Sequence, residues 1–222
     1  KRYMPHIRAM ALSLLTTEIL KRLERLEYIM EIKVCKLITD LLDDWLYFFD
    51  NVAFEDNRGW CGCYCMCYHW TQQLAKERAW DCDKKCAPLN RAKAIDFIQT
   101  GRMQGYLAYS DGKVVGWCNS NEKKAYDNVN FNFAEEIPDN GEKIKSVVCF
   151  AIAPENRGKG IATALLKYVC EDARNDGFEY VEAYPFEHDE NAAYHGPTAL
   201  FENNGFILCN RIEGCRVVRR KL

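Results

Sequence analysis

The chain has 222 residues, 48% of them hydrophobic and 28% charged, which is the make-up of a globular protein with one full core plus an extension. A formal net charge of −2 argues against a general nucleic-acid binder, and the basic end Arg216, Arg219, Arg220 and Lys221 reads as the solvated face of a last strand. No apolar run approaches the ~20 residues of a membrane-crossing helix, and 11–15 is too short, and too soon followed by Glu18, Lys21 and Arg22, for a signal peptide, so a cytoplasmic protein with no membrane or nucleic-acid partner is expected.

In residues 1–27, Leu12, Leu15, Ile19, Leu23 and Leu26 recur at helical spacing among Lys21, Arg22, Glu24 and Arg25. Because Met30-Glu31-Ile32-Lys33-Val34 looks like a domain start, 1–29 is read as a helical extension, either foreign to the domain or packed on a partner. A strand is expected over 32–38 and a helix over about 40–49, capped by Thr39 or Asp40. Residues 51–87 read as a long irregular connection rich in Cys and Trp. A helix over 89–100 is stopped by Gly101, and strands 105–110 and 113–118 form a hairpin about Asp111-Gly112. A polar loop over 119–141 leads to a central strand, 143–152.

That strand breaks at Pro154 and enters Arg157-Gly158-Lys159-Gly160. Ile161, Ala162, Leu165, Leu166, Val169, Cys170 and Ala173 then share one helical face, and the helix ends near 175 before Gly177. A strand feeding a glycine turn at a helix start is a device for holding phosphate. The first helical turn carries unpaired N–H groups and the positive end of the macrodipole. A P-loop would need GxxxxGK followed by Ser or Thr, and the dinucleotide pattern GxGxxG fails because Thr163 stands at its third glycine. Strand 178–184, a polar loop through His195, a helix over 197–203 and strands 206–210 and 216–220 about Glu213-Gly214 complete the chain. Strands and helices interleave without a uniform βαβ rhythm, and no internal repeat is visible, so a mixed sheet covered by helices on both faces is expected.

Arg157, Gly160 and Ala162 do match the pattern (Gln/Arg)-x-x-Gly-x-(Gly/Ala), and the later run Leu200-Phe201-Glu202-Asn203-Asn204-Gly205-Phe206 looks like an "LYExxGF" helix end. In these two landmarks the chain resembles the GNAT superfamily of acetyl-CoA-dependent N-acetyltransferases, over residues 30–222. The resemblance implies an α/β (α+β) fold: a mixed, mostly antiparallel central sheet flanked by helices on both faces. It implies acetyl-CoA as cofactor and acetyl transfer to a small-molecule or peptide amine, with a homodimer among the compatible assemblies. The cofactor would lie along the backbone of Phe150, Ala151 and Ile152, its diphosphate on Arg157, Gly158, Lys159, Gly160, Ile161 and Ala162.

The chain departs from that family where a tyrosine often protonates the departing thiolate, because Phe201 stands there. Tyr194 and His195 are the replacement candidates, set against a structural role for both. Tyr194 also occupies the usual place of an asparagine that contacts pantetheine. Glu182 is the candidate base, set against a solvated strand carboxylate. Twelve cysteines include six between Cys61 and Cys86, and reduced thiols are favoured, with Cys149 and Cys170 as buried small hydrophobes. If extended, Cys61, Cys63, Cys65 and Cys67 would share one face. With His69, Cys82 and Cys86 they could assemble a metal site, but CxCxCxC is an unusual zinc spacing. Substrate-wall packing, beside Trp60, Tyr64, Tyr68 and Trp70, and redox sensing are the other readings. The alternative to an enzyme is a catalytically weak or inactive acyl-CoA-binding module that senses metal or redox state through residues 61–86.

Overall fold

The computed structural model describes residues 31–70, 86–126, 141–187, 194–212 and 215–222. The extension expected over 1–29 and the Glu213-Gly214 turn lie outside these residues, as do 71–85, 127–140 and 188–193. Contacts separate Lys1–Glu31 from a unit formed by Ile32–Leu222.

In chain order that unit holds β1 (Ile32–Lys36), α1 (Leu42–Tyr47), α2 (Ala87–Gln99), β2 (Gly105–Ser110), β3 (Lys113–Glu122), β4 (Ile144–Ile152), α3 (Ile161–Asn175), β5 (Tyr180–Ala183), α4 (Thr198–Glu202), β6 (Ile207–Ile212) and β7 (Cys215–Lys221). The strands form one seven-stranded sheet in the order β1-β2-β3-β4-β5-β7-β6. Only β4 and β5 pair in parallel; every other neighbour is antiparallel. The β2–β3 hairpin turns on Asp111 at φ 50° and Gly112 at φ 73°. Two successive left-handed residues match the twist of the strands they join.

Helices cover both faces. α3 buries Ile161, Leu165, Leu166, Val169, Cys170 and Ala173, the stripe its 3.6-residue period marks out. Tyr106 of β2 reaches this helix and donates to Asp172 at 2.6 Å. Gly116 lets α3 sit close, since a Cβ there would come within 2.7 Å of Ile161 Cγ2. On the other face Trp117 lies 5.9 Å from Trp45 of α1 and 6.4 Å from Phe49.

Two stretches differ from expectation. The helix after β1 is not one α-helix but a 3-10 turn (Thr39–Leu41), α1 and a π turn (Phe48–Val52), with no side-chain cap. The π turn rotates the chain enough to bury both Phe48 and Phe49. β3 also runs on through Asn119–Glu122, which reads as loop by propensity. Tertiary hydrogen bonds offset the poor strand propensity of these asparagines: Tyr126 donates to Asn119 Oδ1 at 3.0 Å, and Asn121 donates to the Arg102 carbonyl at 3.0 Å.

Candidate cofactor cleft

The cleft begins where β4 and β5 part. Their parallel pairing ends at Val147↔Ala183, yet β4 continues to Ile152. At that point the β3–β4 register steps from Asn119↔Cys149 to Ser120↔Val147, which makes Val148 the extra residue of a bulge. A bulge kinks and twists its strand, and here it turns the end of β4 away from β5. Beyond it, Phe150 and Ile152 line a cleft of 610 Å³ together with Asp56, Asn57, Asn156, Arg157, Gly158, Gly160, Ile161, Ala162, Thr163, Tyr194, Gly196 and Pro197.

The turn into α3 forms the cleft's polar end. Gly158 and Gly160 stand at φ 74° and 85°, and a Cβ at either would meet nothing within 4 Å. The space above the turn is therefore open. Gly160 supplies no side-chain cap to α3, and its carbonyl takes the first helical bond, from Ala164 N at 3.0 Å. The N–H groups at the head of a 15-residue helix thus lack intrahelical partners. Arg157 reaches back from this turn: Nε donates to the Ile152 carbonyl at 3.3 Å, while Nη1 and Nη2 donate to Asp56 at 2.5 and 3.1 Å. This guanidinium holds the Asp56 carboxyl below the usual carboxylate range. Open glycines, an uncapped helix head and an arginine suit a diphosphate, so the residues present fit the phosphate end of an acyl-CoA.

Tyr194 forms another wall. Its ring lies 5.4 Å from both Phe54 and Trp60, and its hydroxyl accepts from Asn57 Nδ2 at 3.3 Å. Burial pushes the phenol's pKa above its ordinary value. Phe201 is fully buried, 6.3 Å from Phe150 and 5.4 Å from Phe206, so an apolar ring fills the family's tyrosine position.

The other candidates lie off the cleft lining. Ala151 is buried in β4 and Lys159 is exposed on the turn. His195 is 8% exposed, with Nε2 3.3 Å from the Tyr68 hydroxyl and its ring 4.5 Å from Phe186. Glu182 is not solvated: it is fully buried, 2.9 Å from Lys123 Nζ, paired with Arg219, and accepts from the Tyr184 hydroxyl at 2.5 Å. Tyr184 Oη is also 2.8 Å from Ser146 Oγ, which ties this network to β4 just below the fork.

The cysteine stretch is not extended. Tyr64 and Cys65 both turn left-handed, at φ 46° and 52°, and Met66–Tyr68 is a 3-10 turn. The shared face expected for the four thiols is therefore absent: Cys61 is exposed while Cys65 is buried and accepts from Trp117 Nε1 at 3.3 Å. Among the described residues no group of three metal-binding side chains forms; Cys82 lies outside them. Tyr64, Tyr68 and Trp70 are core side chains and only Trp60 is exposed, so most of this aromatic set is not a pocket wall. Cys149 and Cys170 are buried as expected. Sequence reasoning missed Asp56 and Asn57, because loop residues far away in the chain carry no periodic signal. Among the described residues no helix is long and apolar enough to cross a membrane.

The model of the acetyltransferase (GNAT) family matches residues 67–206. Solved structures share the fold. A GNAT-family protein from Desulfovibrio desulfuricans is 14% identical at a TM-score of 0.52, covering 86% of this chain and 99% of that one. A GNAT-family acetyltransferase from Listeria monocytogenes is 11% identical at 0.50, covering 87% and 96%. The NatC complex bound to Gag peptide and CoA contains a chain 13% identical at 0.50, covering 87% and 99%. No curated protein sequence is detectably similar. With more than half its length matched and the mixed, mostly antiparallel sheet in place, the chain belongs to the GNAT acetyltransferase family, whose typical cofactor is acetyl-CoA.

Proposed function

We propose that the chain, through a domain spanning residues 30–222, is an acyltransferase that moves an acetyl group from acetyl-CoA to the nitrogen of a small-molecule or peptide amine. One observation carries this reading. The open glycine turn, the uncapped head of α3, the end of β4 that runs on past β5 and the Tyr194 hydroxyl all share a single cleft.

In this reading the first-turn N–H groups of α3 and the Arg157 guanidinium bind the diphosphate. Gly158 and Gly160 let it approach the backbone, and Lys159 adds charge from the solvent side. The backbone of Phe150, Ala151 and Ile152, released from β5, aims the acyl arm and offers an N–H to the carbonyl oxygen where negative charge develops. When bound, acetyl-CoA supplies an activated acyl group on a thiol leaving group. Tyr194, like any phenol, keeps its proton at neutral pH, burial raising its pKa further, and Tyr194 Oη holds that proton for the departing sulfur, the task Phe201 cannot perform. Glu182 is committed to Lys123, Arg219 and Tyr184, so it anchors the fork and the amine loses its proton to water. A lysine-like amine is well under about 1% neutral at pH 7, so turnover rises with pH. His195, beside Tyr68, positions the segment that carries Tyr194.

Phe201 favours a second reading, a module that binds acyl-CoA without turnover. The full chain incubated with acetyl-CoA and an amine panel separates the two. Thiol release that depends on an added amine supports the transferase, and tight coenzyme A binding with no amine-dependent release on any member supports the module.

A further inference from the structure

The cleft contains an acid that its proposed ligand does not want. Asp56 lines the same space as the glycine turn and takes two N–H donors of Arg157. A third donor is spent on the Ile152 carbonyl. Three of the five N–H donors of the phosphate-site guanidinium are thus engaged, and its charge is cancelled by the carboxylate beside it. An arriving diphosphate would meet a neutralised arginine and a like charge.

Asp56 belongs to a short turn built to bridge the cleft. At its base Ala53 and Phe54 are buried, and Ala53 N donates to the Phe48 carbonyl at 2.8 Å. The turn closes with Asn57 N donating to the Phe54 carbonyl at 3.1 Å. Its tip then makes two ties across the cleft: Asp56 to Arg157, and Asn57 Nδ2 to the Tyr194 hydroxyl at 3.3 Å. The base is fixed in the core while the ion pair is about half-exposed on both sides, so water and solute reach it. Exposed ion pairs are weak and readily exchanged.

We propose that residues 53–57 are a strap whose Asp56 occupies Arg157 in place of a phosphate, and that cofactor loading exchanges this carboxylate for the diphosphate. The proposal rests on the reading of this cleft as an acyl-CoA site. Exchange frees Arg157 for the ligand, and the lifted tip releases the Tyr194 hydroxyl from Asn57. The strap therefore couples cofactor loading to the departure of Asn57 from the Tyr194 hydroxyl.

Coenzyme A binding to the full chain, measured by calorimetry, tests the strap. Asp56→Asn and Asp56→Ala should each bind about twofold to fivefold more tightly than wild type, the range an exposed ion pair supports. Glu55→Gln removes an equal charge from the neighbouring exposed position and should change affinity less. Unchanged or weaker binding in both Asp56 variants, or equal tightening by Glu55→Gln, overturns the strap while leaving the cofactor reading intact. Folded wild type and variants that all fail to bind coenzyme A overturn the cofactor reading and the strap with it.

Discussion

Gly160, Tyr194 and His69 each carry a separable consequence of their surroundings. Gly160 sits at φ 85° with open space where a Cβ would stand, so Gly160→Ala meets backbone strain and not crowding. A loss of about 1–2 kcal/mol in denaturant stability is expected, together with weaker coenzyme A binding as the turn relaxes. Tyr194→Phe keeps the ring against Phe54 and Trp60 but removes the hydroxyl. Turnover should fall about 100-fold with little change in KM, read from initial rates on the best amine; an unchanged rate removes Tyr194 from the chemistry. His69 is fully buried, and burial pushes its pKa down to about 3. Asn119 Oδ1 is taken by Tyr126, so its Nδ2 faces His69 Nε2 at 3.4 Å, which assigns the ring proton to Nδ1. A histidine with a depressed folded pKa binds fewer protons folded than unfolded. Its contribution is complete above the unfolded value near ~6.5 and is lost as pH falls toward 3, by up to about 1.4 kcal/mol per pH unit. Denaturation midpoints between pH 7 and 4 should fall with pH in wild type, and less steeply in His69→Gln.

At the scale of elements, the decisive feature is the fork of β4 and β5, and its closed end is fixed by buried charge. Glu182 on β5, Lys123 beyond β3 and Arg219 on β7 are joined through Tyr184 to Ser146 on β4. Glu182→Ala would strip the buried Lys123 and Arg219 of the carboxylate they share, Arg219 keeping Glu142 at 3.2 Å, and a loss of about 3–5 kcal/mol is expected from urea unfolding; a loss below about 1 kcal/mol would remove the anchor from the account. The sequence made some of this legible. α3 was plain because Ile161, Leu165, Leu166, Val169 and Cys170 repeat at a helical period, and the β2–β3 turn because Asp111-Gly112 suits left-handed geometry. The network was not. Asn119 to Lys123 look like loop residues until Tyr126, the Arg102 carbonyl and Glu182 satisfy them. The left-handed pair Tyr64-Cys65 was hidden for a related reason, since alternating cysteines suggest a strand and only the packing of Cys65 beneath Trp117 contradicts it.

For the whole molecule, the phosphate end of the cleft was readable because Arg157, Gly158 and Gly160 lie together in sequence, with their chemistry in the residue types. Asp56 and Asn57 meet them only through the fold, a hundred positions away, and the bulge at Val148 leaves no mark in a uniformly apolar strand. Ligand linkage follows from a site built on the unit's central strand. Coenzyme A at 100 times its Kd should stabilise the protein by about 2.7 kcal/mol, seen as a rise in Tm that Arg157→Ala diminishes. The central claim is that the head of α3 grips a diphosphate and lays the acyl arm along the β5-side edge of the end of β4. The position of coenzyme A in a crystal of the full chain tests it most directly. The account expects the diphosphate within hydrogen-bonding distance of the backbone N–H groups at Gly158–Ala162, with the thiol beside Phe150 and the Tyr194 hydroxyl. A diphosphate bound away from that turn, or a thiol on the far side of the sheet, would contradict it.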